Sequence, residues 1–257
     1  MKGIIAGAGI AGMTAVHLLL DAGISPVSVR LIDARAEVGS PVSGPGWLEQ
    51  KNWVKKWVSW NVDIDAISLM EMETGIAFRR ESIEKELGIS LASRGVHLNL
   101  KQRITAYQVE QDRIRLLMNG IEESCLVDWV IDHLGCQPIT AGRPGDSALL
   151  RNSNSSSIIT TREQEQTEIW LGGIIPSNTA LLPNNGLQFE RADGTIEYWT
   201  QELELPSIQF GWTELMQRQH PQVKENSGVG LSIDAALVRA QTSVKKLQNR
   251  FELATMQ

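Results

Sequence analysis

Apolar residues fill positions 3–20 almost without interruption, with Lys2 in front of them. The run nearly reaches the length of a membrane-spanning or export helix. Glycines at 3, 7, 9 and 12 divide it. Gly3-Ile4-Ile5-Ala6 predicts a short buried strand. Beyond the glycines, Thr14, Ala15, Val16, Leu18 and Leu19 predict a helix that stops at Ala22-Gly23, with glycine in the usual C-terminal position. A second apolar strand, Val27 to Ile32, ends on Asp33. An export segment has no reason to resume as strand and acid, so the stretch is read as the start of a fold and not as a membrane anchor.

The pattern then changes. Residues 36–46, punctuated by glycine and proline, predict a long loop. Trp53, Trp57 and Trp60 follow at helical spacing, with Trp47 just before them and Lys51, Lys55 and Lys56 on the opposite face. An aromatic stripe of this kind is core or interface more often than a substrate box, and a hydrophobic substrate or a protein partner docking there is the functional alternative. A helix from about Ser82 to Arg94 leads to a strand at Gly95–Leu100. Arg103–Val109 and Arg113–Met118 alternate as two strands of a meander, Asn119-Gly120 signals a turn, and a third strand at Glu123–Val127 runs into Asp128–Asp132. Gly135-Cys136-Gln137-Pro138 breaks the chain.

Residues 139–168 are polar and serine-rich and predict an exposed loop. Ile169–Ile175 reads as a strand, and Gly186–Arg191 with Thr195–Trp199 as a hairpin about Ala192-Asp193-Gly194. Asp234–Leu247 reads as a closing helix. There is no internal repeat.

Composition narrows the classes. A chain of 257 residues with 42 % apolar and 21 % charged residues is an ordinary globule able to bury a full core. Its net charge of −6 leaves no electrostatic footprint for nucleic acid or an anionic membrane. Cys125 and Cys136 are too far apart for a redox pair or a cysteine metal site. Whether they are bridged stays open. Reduced thiols fit equally well, and a cytoplasmic location is expected. His97, His133 and His220 show no metal-binding spacing, and no metal is expected. His17, inside the first helix, reads as a packing histidine rather than a catalyst.

Gly7-Ala8-Gly9-Ile10-Ala11-Gly12 is a GxGxxG between strand and helix, and Asp33 lies 21 residues beyond Gly12. Each part has a physical task. Gly7 allows the turn out of the strand, Gly9 lets backbone approach a pyrophosphate, and Gly12 lets the helix pack on the sheet. The helix N-terminus offers N–H groups and its positive dipole end to the phosphates. Asp33 is placed to accept from a ribose diol. Strand, glycines, helix, strand and acid in order make a dinucleotide site the expectation.

The fingerprint followed by an interrupting segment, a helix, the strand GVHLNL, a meander and VDWVIDHLGCQP resembles the FAD-binding family of glutathione reductase and p-hydroxybenzoate hydroxylase type. The loop VGSPVSGPG is similar to the VGxPV segment of the geranylgeranyl reductase branch, with Ser43 near the position of that branch's cysteine. The resemblance covers residues 1 to about 138. It implies an α/β, Rossmann-like, three-layer (ββα) FAD-binding fold with an inserted meander and a small β-rich capping lobe. The expected organisation is a core at 1–138 with a helical insertion at about 40–80, a capping region at 139–215, and a C-terminal helical segment at 216–257 returning to the core.

The resemblance implies FAD, held by Gly7, Ala8, Gly9, Ile10, Ala11 and Gly12, by Asp33, Ala34 and Arg35, and by Gly135, Gly228 and Gly230. It implies no particular catalytic residue. The family's later Gly-Asp falls on Met216-Gln217, so the carboxylate that would hold the ribityl chain is missing, and Gly145-Asp146 comes too early to replace it. The implied activity is oxidation, reduction or hydroxylation of a small, largely apolar substrate. With no second fingerprint, NAD(P)H or a flavin reductase would deliver electrons in a transient encounter. Two other readings stay open: a non-catalytic binding or scaffold protein keeping the Rossmann core, and an NAD(P)-dependent dehydrogenase.

Overall fold

The computed structural model describes residues 1–40, 44–119, 124–134, 155–160, 167–178, 182–208, 211–221 and 231–251. The chain divides into two compact units: Met1–Ser40, Leu87–Glu163 and Ala236–Gln257 form one, Pro41–Glu86 and Gln164–Ala235 the other.

The first unit is built on five parallel strands. These are β1 (Gly3–Ala6), β2 (Val29–Ile32), β6 (His97–Asn99), β10 (Trp129–Asp132) and β11 (Ile158–Thr160), in the order β11-β10-β1-β2-β6. Helix α1 (Ile10–Asp21) joins β1 to β2 as the crossover that a parallel pair requires. A single 3-10 turn, Pro26–Ser28, shortens the expected second strand at its start, because proline presets that turn. An antiparallel meander of β7 (Ile104–Glu110), β8 (Arg113–Met118) and β9 (Cys125–Val127) lies on one face of the sheet. Ile104, Ile114, Leu116, Met118 and Val127 pack there against Ile4, Ala6, Ile32, Val130 and Ile158. Ile5, of opposite parity, faces α1 at Gly12. The α/β class and the layered core are therefore as expected.

The serine-rich stretch departs from expectation: its described residues include the edge strand β11. Three consecutive apolar or β-branched residues carry too little pattern to announce a strand, and pairing with β10 supplies the rest.

The second unit holds two antiparallel sheets. One consists of β3 (Trp47–Leu48), β4 (Met70–Met72) and β5 (Gly75–Ala77). Its strands are too short to show alternation, and the sequence predicts none of them. The other pairs β12 (Thr167–Pro176), β13 (Leu187–Glu190), β14 (Thr195–Thr200) and β15 (Glu214–Pro221) in the order β13-β14-β12-β15. Strand β15 occupies positions expected to lead into the C-terminal helix. Its sequence, ELMQRQHP, has little apolar signal, and an eight-residue register with β12 determines it. One sheet face carries Ile174, Phe189, Trp199 and Met216 against Trp47, Ala77 and Leu231.

Helix α2 (Asn52–Ser59) carries Trp53 and Trp57, with Trp60 as its C-cap; α3 (Ile64–Ile67) is a single turn capped by the Asp63 carboxylate. Trp53, Trp57 and Trp60 are buried, with Trp57 edge-on to Phe78 and Trp53 tilted against Trp60. The idea of a partner docking on this face is therefore corrected: its indoles are already covered. Two further helices, α4 (Arg80–Ser93) and α5 (Asp234–Phe251), each begin in the second unit and continue in the first. No helix among the described residues is long and apolar enough to cross a membrane.

Candidate cofactor site

Strands β1, β2 and β10 run parallel, so their carboxyl ends share one edge of the sheet. The chain leaves β1 through α1 to β2 on one side, while β10 takes the other side of β1. That makes β1 the switch point at which open α/β sheets bind ligands. The glycine loop emerges there.

Gly7 adopts φ +105°, a left-handed backbone that glycine tolerates, and its N–H donates to Ile32 O at 2.7 Å. A side chain there would also stand 2.4 Å from His133 O. Gly12 is required for closeness: a Cβ would lie 1.8 Å from Gly7 O. Gly9 differs from both. It is the N-cap of α1, in extended conformation, and a Cβ built on it meets no described residue within 4 Å. Among the described residues no side chain caps the helix, and no acid lies in its first turn. No described residue therefore closes the positive end of α1 at Gly9, which suits a pyrophosphate. Ala8, Ile10 and Ala11 complete this loop and first turn.

Asp33 follows β2 and is 7 % exposed. Its carboxylate accepts the Ala8 N–H at 2.7 Å, the Arg35 N–H at 2.8 Å, and the Arg35 Nε and Nη2 groups at 3.0 Å each. Burial pushes the carboxyl upward, but the Arg35 guanidinium and these donors outweigh it and hold the pKa below the ordinary carboxylate range. Asp33 thus ties the glycine loop to the end of β2. Its four lone-pair directions are matched by four donors. A ribose diol could bind only where Arg35 turns aside. The glycine loop fits a dinucleotide's phosphates as it stands, whereas the Asp33-Ala34-Arg35 corner fits its ribose only with that side-chain movement.

Gly135, Gly228 and Gly230 lie outside the described residues, as do Cys136 and the serine of the VGSPV loop, Ser43. Met216, at the expected Gly-Asp position, sits in β15 and contributes to the core of the second unit. No cluster of three metal-binding side chains occurs among the described residues.

The sequence did not single out a buried polar group in the second unit. Glu197 is 2 % exposed on β14; it accepts Trp199 Nε1–H at 2.7 Å, Gly46 N–H at 3.3 Å and Arg191 Nη1–H at 3.2 Å. Burial drives its pKa up to about 7, over the opposing influence of Arg191, the two N–H donors and Arg80. Nearby, Arg80 pairs with Glu84 at 2.9 Å, and Arg80 and Arg218 converge on Gly44, where any side chain would collide with both. The available signal was the alternation of β14, which places Glu197 on the face of Trp199. These groups grip the Gly44-Pro45-Gly46 segment in place.

Solved structures share this fold. The chain superposes on a geranylgeranyl bacteriochlorophyll reductase-like protein from Thermoplasma acidophilum with TM-score 0.63 and 14 % identity, covering 97 % of this chain and 79 % of that one. The p-nitrophenol 4-monooxygenase PnpA from Pseudomonas putida gives TM-score 0.65 at 10 % identity, over 99 % and 82 %. CabE, an aromatic hydroxylase of angucycline biosynthesis, gives 0.60 at 13 %, over 98 % and 62 %. The α/β fold, with its parallel sheet and added antiparallel sheets, is the one these three structures share. No protein-family model matches the sequence, and no curated protein matches it.

Proposed function

We propose that this protein binds FAD non-covalently and is an oxidoreductase acting on a small, largely apolar molecule by oxidation, reduction or hydroxylation. One observation carries the reading: a helix N-terminus that no described side chain caps, fronted by Gly9 with no described residue within 4 Å of its Cβ position, at the switch point of the parallel sheet. The fold shared with a reductase-like protein, an aromatic hydroxylase, a monooxygenase and a flavoprotein/dehydrogenase supports it. Bound FAD would supply hydride and oxygen chemistry. The chain's own part is to hold the pyrophosphate on the Gly7–Gly12 loop and α1, and the ribose at Asp33 once Arg35 has moved. NAD(P)H or a flavin reductase would deliver electrons without a dedicated domain.

Gly9→Asp tests this. Aspartate is a preferred N-cap and favours the positive helix end, so the fold should be as stable as wild type or slightly more so. The same carboxylate would occupy the phosphate position and repel it. The purified wild type should be yellow, with flavin absorption bands and FAD released on denaturation, and the folded variant colourless. A colourless wild type that FAD does not stabilise would sink the proposal.

A second reading, a non-catalytic protein keeping the Rossmann core, is favoured by one observation: Asp33 is fully engaged by Arg35 and Ala8. The same spectrum decides between the two.

A further inference from the structure

A cleft of about 350 Å³ opens against β12, β13 and β14 of the second unit. Trp170 and Leu187 supply apolar surface; Asn184, Asn185, Gln201 and Glu202 supply polar groups. Two of the amides have fixed orientation. Asn185 Oδ1 accepts the Tyr198 hydroxyl at 2.9 Å, which fixes the amide's orientation and leaves both of its N–H donors and one lone pair. Gln201 Nε2 donates to the Glu168 carboxylate, which leaves Gln201 its carbonyl acceptor and one N–H. Glu202 adds an acceptor-only carboxylate, its own N–H being used by Thr200 Oγ1 at 3.1 Å.

The frame behind these groups is rigid. Tyr198 is 1 % exposed and stacked against Trp212, with ring centroids 6.0 Å apart. Gly186 presses so closely on β14 that a Cβ would lie 2.5 Å from Trp199 O and 2.7 Å from the Tyr198 ring. Asn185 is therefore held in place before any ligand arrives.

The combination selects by chemistry. An aliphatic ligand would cover the donors of Asn185 and the acceptors of Gln201 and Glu202 without replacing their water. An anion would meet the Glu202 carboxylate, and a cation would leave the Asn185 donors unmatched. A hydroxyl both donates and accepts, and a ring bearing several hydroxyls keeps an apolar C–H face for an indole. We propose that this cleft binds a pyranose ring, lying on Trp170 with hydroxyls on Asn185, Gln201 and Glu202. The site lies wholly in the second unit and is independent of the flavin reading.

Saturation-transfer NMR on the full-length protein tests it, with methyl glucoside, galactoside and mannoside as probes and cyclohexanol as the ring without hydroxyl array. At least one pyranoside should receive saturation on its C–H face, with a Kd on the order of millimolar for so open a site. Asn185→Asp keeps an acceptor for Tyr198, replaces the remaining donors by a second acceptor oxygen and adds a negative charge, and should weaken binding about tenfold. Should that variant not fold, Gln201→Met removes the exposed acceptor and should weaken binding by a similar factor. Absence of transfer to every pyranoside, equal transfer to cyclohexanol, or unchanged affinity in a folded variant would overturn the proposal.

Discussion

Glutamine in place of His17 keeps a neutral hydrogen-bonding side chain but cannot take up a proton, and the pH dependence of folding should change in a calculable way. His17 is completely buried in α1. Its Nδ1 accepts from Arg94 Nη1 at 2.9 Å, which leaves Nε2–H to face Leu87 O at 3.4 Å, and Arg94 in turn reaches Asp21 at 3.0 Å. Burial, reinforced by the Arg94 charge, lowers the His17 pKa from 6.5 to about 3, against the opposing pull of the Leu87 carbonyl and Asp21. Below pH 6.5 the unfolded chain binds this proton, whereas the folded chain refuses it until about pH 3. The contribution is complete above pH 6.5 and is lost as pH falls through that window. Each pH unit costs about 1.4 kcal/mol, so acidification from 6.5 to about pH 5 removes roughly 2 kcal/mol.

The wild-type profile will not display this slope alone, because Glu197 opposes it. Its folded pKa of about 7 exceeds the ordinary 4.5, so its contribution is present at low pH and falls as pH rises through 4.5 to 7. Between pH 4.5 and 6.5 the two slopes largely cancel. The informative quantity is the stability difference between wild type and His17→Gln, from urea unfolding followed by far-UV circular dichroism at pH 6.5 and at about pH 5. The variant should lose about 2 kcal/mol less than wild type on acidification. Parallel losses, equal within about 0.5 kcal/mol, would refute the assignment of a neutral, proton-refusing His17.

Glu197→Gln should show the converse, gaining on wild type by about 1.4 kcal/mol per pH unit as pH rises from 4.5 to 7, and urea midpoints that run parallel across this range would contradict it. Gly12→Ala places a methyl 1.8 Å from Gly7 O and should cost about 2–3 kcal/mol, seen as a fall of several degrees in Tm; an unchanged Tm would show that the loop yields. Trp57→Ala empties a fully buried site beside Phe78 and should cost roughly 3–5 kcal/mol by urea unfolding, whereas a change below about 1 kcal/mol would mean the face is not core.

The first thirty-three residues were legible because their signals are local. A glycine at positive φ, a helix start, and an acid at a set distance act over one or two turns of chain, and the structure arranges β1, the Gly7–Gly12 loop, α1 and β2 accordingly. The meander and the β13–β14 hairpin were legible for the same reason, since alternation and a turn lie within a dozen residues. The tryptophan stripe showed which residues share a helix face, while its burial beside Phe78 depended on a strand and turn about twenty residues away. Strands β3, β4, β5, β11 and β15 were not legible, because each is short or polar and exists through the register of a partner. The engagement of Asp33 by Arg35 turned on a rotamer choice that spacing does not encode. The environment of Glu197 joins groups up to 151 residues apart, from Gly46 and Arg80 to Arg191 and Trp199. Local backbone preference determined the β1–α1–β2 unit with its glycine loop; desolvation and charge pairing between distant segments, which only the tertiary structure decides, set the protonation of the buried groups and the shape of the clefts.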